Sequence, residues 1–169
     1  ICFEENIEMF MFYVEEFLSN IHIADDSVLD NFDNVVFEGA QGLLLDQNNV
    51  AYFPHVTSSN TGIKNVMEIL RNTNFDGKVD IYYMSRCYMT KHGAGSFKYE
   101  LFEKPYQKVE DLTNVPNEFQ GALRYGYLDF DLLASEINKD LENLNLKANV
   151  YIIFTCLDQL DNTLKYYEN

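Results

Sequence analysis

The sequence predicts an α/β fold with a mostly parallel sheet flanked by helices, in a single domain over residues 1–169. Three observations carry that expectation. Short, continuous runs of apolar, β-branched and aromatic residues occur at 34–37, 79–84 and 149–155, as in strands buried on both faces. Segments with apolar residues at spacings of three and four alternate with those runs. Glycine-bearing or polar turns follow the ends of the runs, where sheets of this kind bind ligands.

Taken in order, residues 4–20 place Ile7, Phe10, Met11, Val14 and Leu18 on one stripe among Glu5, Glu8, Glu15 and Glu16. This spacing predicts an amphipathic helix of about four turns whose stripe faces the core. A polar connector with a lone His22 follows, and then the first strand at 34–37, closed by Glu38-Gly39. Residues 63–71 carry Val66, Ile69 and Leu70 at helical spacing, and the Asp-Gly of 72–78 ends that helix. The run VDIYYM at 79–84 predicts the second strand. Gly93-Ala94-Gly95 marks a tight turn after it, and 102–120 reads as loop around Pro105 and Pro116. Asp129 is a candidate N-cap for a helix with Leu133, Ile137, Leu141 and Leu144 inward. NVYIIFT at 149–155 predicts the third strand.

Composition narrows the function. Acidic residues outnumber basic ones 27 to 12, for a net charge of -15. Such a field repels nucleic acid and anionic membrane, although backbone dipoles and one or two cations still hold a small phosphate. The chain has 3 cysteines, Cys2, Cys87 and Cys156, far apart and without a C-x-x-C pair, so neither a disulfide framework nor a zinc site is expected and no metal site is predicted. A reducing cytoplasm fits best, and no apolar run approaches a membrane span. The chain begins at Ile1 without methionine and is expected to be a piece of something longer.

The richest stretch is 35–61, VVFEGAQGLLLDQNNVAYFPHVTSSNT. It sets a Gly-x-x-Gly turn, the carboxamide of Gln41 and a Ser/Thr/Asn loop after a strand. Glycines there let backbone N–H groups approach a ligand closely, so a polar pocket on a strand end is expected.

FEGAQG (37–42), LLD (44–46), VTSSNT (56–61), GAG with Phe97 and Glu100, Tyr127-Leu128-Asp129, and Thr155-Cys156-Leu157-Asp158 together resemble the middle of adenylosuccinate synthetase, in that family's order and near its spacing. The resemblance covers roughly residues 10–165. It implies part of a P-loop-NTPase-like synthetase fold and a ligase that joins inosine monophosphate to aspartate with GTP and Mg2+, in a cytoplasmic homodimer. It also implies roles. Gln41 matches the glutamine that positions the 6-phosphoryl group, and a carboxamide suits this because it donates and accepts without adding charge. Gly42 and Leu45 fall at nucleotide-contacting positions. Val56 and Thr57 match the backbone and hydroxyl that hold the phosphate, His92 and Gly93 stand beside the ribose, and Arg124 is what remains of the arginine loop. Asp158 matches the carboxylate that reads guanine.

The chain also departs from the family. Nothing in it matches the Gly-Asp-Glu-Gly-Lys-Gly-Lys loop, which brings the general base, a magnesium ligand and the phosphate cradle. The family's Thr-Thr-Gly-Arg-x-Arg has shrunk to 119–126 with Arg124 alone, and one guanidinium is not a paired clamp. Cys156 replaces the lysine of Thr-Lys-Leu-Asp, Lys91 replaces the loop arginine and His92 a valine. The expectation is a chain holding the monophosphate-binding part and inactive alone. Two other expectations stand beside it: a non-catalytic relative that binds a purine monophosphate or a partner protein, and a viral-type relative with a guanine nucleotide acceptor and ATP. An acidic interaction domain without a ligand ranks behind them.

Overall fold

The computed structural model describes residues 3–168, so Cys2 lies outside the described residues. The elements are α1 (Phe3–Asn20), α2 (Lys64–Arg71), β1 (Lys78–Arg86), β2 (Tyr88–Lys91), β3 (Glu100–Leu101), β4 (Arg124–Asp129), α3 (Phe130–Leu141), β5 (Lys147–Thr155) and β6 (Tyr166–Tyr167). The α/β class and the parallel pairing stand. β1 and β5 form a parallel ladder from Lys78 beside Lys147 to Arg86 beside Thr155. Asp129 caps α3 as its sequence predicts, its carboxylate accepting the Leu132 N–H at 3.0 Å.

A second sheet follows the first. β2 and β3 pair antiparallel with β4, and β6 pairs with it in parallel. The chain passes between the sheets at Cys87, and the core gathers there. Cys87, Tyr88, Tyr106 and Val109 are buried, with Tyr125, Cys156, Leu160 and Leu164 packed on them. Burying a side chain of this size contributes about 2 kcal/mol.

Two expectations fail. The apolar run at 34–37 forms no strand, and Val36 is 92% exposed. A strand needs a neighbour to take its N–H and C=O groups, and among the described residues this run has none. The stripe of α1 is not core either: Phe10 is 65% exposed, and Ile7, Met11 and Leu18 are exposed with it. Period alone identifies a helix and its apolar face, but not whether anything covers that face.

The first sheet is open in the same way. Tyr82 and Met84 share one face with Tyr151 and Ile153 by register, the two tyrosine rings stack at 4.9 Å, and all four side chains are exposed. The opposite face is covered only in part: the Tyr83 hydroxyl donates to Asp140 of α3 at 2.7 Å and Ile81 is buried, while their β5 neighbours Val150 and Ile152 are exposed. The chain exposes 12,543 Å², against about 8,600 Å² for a compact monomer of this mass.

Candidate functional site

Residues 41–61 fold back on themselves as a double-walled loop. Gln41 adopts a left-handed backbone at φ 71°, its side chain exposed, and Gly42 opens the 3-10 turn Leu43–Leu45. The Thr57 N–H donates to the Leu45 carbonyl at 2.7 Å, and the Gln47 N–H to the Ser59 carbonyl at 3.0 Å. These bonds bring Leu45, Val56 and Thr57 together and leave Gln41 and Gly42 at the mouth of the same turn.

Asp46 staples the two walls. One carboxylate oxygen accepts the Asn48 N–H at 2.8 Å, the other the Thr61 N–H at 2.7 Å. Burial pushes its carboxyl up, but the Asn48 and Thr61 donors, helped by the Lys64 charge, outweigh that and hold it below its ordinary value. Asn60 adds a second tie, accepting the side-chain amides of Asn48 at 2.8 Å and Gln47 at 3.2 Å.

Helix α3 carries the loop from behind. The Asn49 amide donates to Glu136 at 3.0 Å, and Asp140 accepts the Ile63 N–H through both oxygens at 3.1 Å. A Cβ at Gly62 would stand 1.9 Å from an Asp140 oxygen, so a side chain at 62 would push that carboxylate off the Ile63 N–H. The Thr61 hydroxyl is buried there without a hydrogen-bond partner.

The other predicted residues lie on the second sheet. Gly93 and Gly95 take φ of 66° and 98° in the turn after β2, a region that favours glycine. Arg124 on β4 donates to the Gly93 and Gly95 carbonyls at 2.9 Å each and pairs side by side with Glu100. Its guanidinium is thereby held by this turn. His92 is exposed and bonded to the Asn114 side chain at 2.7 Å.

His55 joins the two groups. Its ring lies over Gly95, so that a Cβ there would be 2.5 Å from its Cδ2. Between loop and turn is a cleft of about 240 Å³ lined by Ala51, Tyr52, Phe53, His55, Lys91, Gly95 and Ser96. Partial burial, and secondarily the Arg124 charge, depress the Lys91 ammonium. The cleft can offer an anion one lysine and polar groups of Ser96 and His55.

Asp158 stands apart, exposed in a 3-10 turn after β5, and among the described residues no hydrogen bond joins it to the loop. Among the described residues no group of three or more His, Cys, Asp or Glu side chains could hold a metal ion. No described helix is long and apolar enough to cross a membrane.

Asp46, His55 and Glu100 carry this geometry, yet sequence reasoning gave them no role. Asp46 before Gln-Asn-Asn was a visible signal, since aspartate readily accepts the backbone N–H two residues on. His55 and Glu100 act over distances in sequence that no local pattern displays.

The model of the adenylosuccinate synthetase family matches residues 2–165. Curated relatives named adenylosuccinate synthetase agree. That of Lactobacillus johnsonii is 28% identical over 97% of this chain and 38% of its own length. That of Phocaeicola vulgatus is 34% identical over 72% of this chain and 30% of its own, and that of Lysinibacillus sphaericus 32% identical over 76% and 30%. The chain thus spans about a third of the length of these relatives. No solved structure matches. With a family match over nearly its whole length, this chain belongs to the adenylosuccinate synthetase family.

Proposed function

We propose that this chain is the nucleoside monophosphate-binding part of an adenylosuccinate synthetase, and is inactive by itself. The observation that carries it is the loop 42–61, stapled by Asp46, which ties Thr57 to Leu45 and lays His55 over the glycine turn after β2. In this reading Gln41 positions the 6-phosphoryl group, Gly42 and Leu45 meet the nucleotide, and Val56 and Thr57 hold the phosphate. His92 and Gly93 border the ribose, and Asp158 meets the guanine of GTP. Joining inosine monophosphate to aspartate with GTP and Mg2+, in a cytoplasmic homodimer, needs groups that these 169 residues do not supply.

The test is a thermal-shift titration of this chain. Inosine monophosphate at millimolar concentration should raise Tm, while inosine, without the phosphate, should not. No stabilisation by any purine monophosphate sinks the proposal. A second reading, a non-catalytic relative that binds a purine monophosphate, is favoured by Arg124. Its guanidinium makes four contacts, to Glu100, Gly93 and Gly95, and this self-contained arrangement supports the second reading. Phosphate release from GTP, with aspartate and inosine monophosphate present, by the product of the complete gene separates the two. Release supports the ligase, and its absence with retained monophosphate binding supports the relative.

A further inference from the structure

We propose that Cys87 and Cys156 form a dithiol modification site, which a hydroperoxide converts to a disulfide tying the end of β1 to the turn after β5. The two residues are 69 apart in sequence, and the parallel ladder cancels that separation. Arg86 lies beside Thr155 at the end of the ladder, and the Cys87 N–H still donates to the Thr155 carbonyl at 3.0 Å. The residue that follows each strand is cysteine. Neighbouring strands run about 4.8 Å apart, within the Cα separations that disulfides bridge. The Cys87 thiol donates to the Cys156 carbonyl at 3.1 Å, and Cys156 packs on the cluster that contains Cys87. Both cysteines are free.

Their surroundings assign the order of events. Cys87 is fully buried, and burial, with the neighbouring Cys156 adding to it, pushes its thiol up. Cys156 is half-buried at the strand end, where φ of 60° turns the chain away, so it meets a small oxidant first. Its thiolate attacks a peroxide oxygen, the O–O bond breaks, and an alcohol or water leaves as the sulfur becomes a sulfenic acid. The Cys87 sulfur then attacks that sulfenic sulfur. The S–S bond forms, the S–O bond breaks, and the thiol proton departs with the hydroxyl as water. Two thiols and one peroxide are consumed, so electrons and atoms balance. The cross-link fixes the turn that holds Asp158 and Gln159, already bonded to the Tyr88 hydroxyl at 2.6 Å.

The test uses the whole chain with Cys2→Ser, which leaves these two thiols. After hydrogen peroxide, denaturation and alkylation, the protein should be lighter by two hydrogens, resist alkylation at both positions, and yield one peptide pair joined through Cys87 and Cys156. Its Tm should rise by about 5 °C and return with dithiothreitol. In Cys87→Ser the resolving sulfur is gone and Cys156 should carry oxygen atoms instead. Alkylatable Cys87 in the peroxide-treated parent, with Cys156 oxidised or untouched, overturns the proposal, as does a cross-link between two chains. The parent protein decides this even where the serine variant fails to fold.

Discussion

The carboxylate of Asp46 accepts the Thr61 N–H at 2.7 Å across fourteen intervening residues, and this one bond closes the loop that carries most of the candidate site. Asp46→Ala leaves the Thr61 and Asn48 N–H groups without their acceptor. The cost is about 1–3 kcal/mol, most of it from the Thr61 N–H, which lies at a buried position, while Asn48 is exposed. Urea denaturation should show a lower midpoint at unchanged slope. The Tm increase with inosine monophosphate should shrink with it, because Thr57 hangs from the same wall. Unchanged ligand response with lost stability would detach the loop from binding.

Gly95→Ala tests the contact between the loop 41–61 and the turn after β2. At φ 98° an alanine is strained, and its Cβ meets the His55 ring at 2.5 Å. The two effects together should cost about 2–3 kcal/mol. Adding His55→Ala removes the clash and leaves the backbone strain, so the double variant should recover part of the loss. A double-mutant cycle read by Tm measures the difference. Strict additivity of the two substitutions would show that loop and turn do not touch.

Acid should reveal the Asp111 cluster. The Thr113 hydroxyl at 2.8 Å and the Asn114 amide at 2.6 Å, with the Arg86 guanidinium at 3.0 Å, hold this carboxyl well below the usual range. A carboxyl depressed by folding adds stability above its unfolded value of about 4, and loses it as pH falls toward the folded value. Asp111→Asn should therefore lower Tm at neutral pH, and its gap to the parent should narrow below about pH 4. A gap that stays constant down to pH 2 would show that Asp111 is not depressed by folding.

The sequence displayed what is local. α1, α2 and α3 follow their apolar spacing, and β1 and β5 follow their continuous β-branched runs. β2 and β4 stayed hidden because each is short, mixed in polarity and defined by a partner: Tyr88 pairs with Tyr127 across 39 residues of sequence. The same dependence explains the reverse error, in which Val35 and Val36 look like a strand but have no ladder to join. The site divides likewise. Thr57 and Leu45 were legible as motif positions, whereas the hold of Arg124 on Gly93 and Gly95 exists only once β4 lies beside β2.

Exposed and buried positions of the first sheet should answer differently to charge. Met84 is 70% exposed and Ile153 38%, on a face that none of the described residues covers. Met84→Lys and Ile153→Lys place an ammonium in water, so each should shift stability by no more than about 0.5 kcal/mol. Both should lower the fluorescence of a dye that binds apolar surface. Ile81→Lys is the control at a buried position of β1, where the side chain is 9% exposed. An unpaired ammonium there cannot stay charged without unfolding its surroundings, and that variant should lose about 3 kcal/mol or more. If Met84→Lys proved as damaging as Ile81→Lys, the Met84 side chain would be covered in solution, and this prediction would fail.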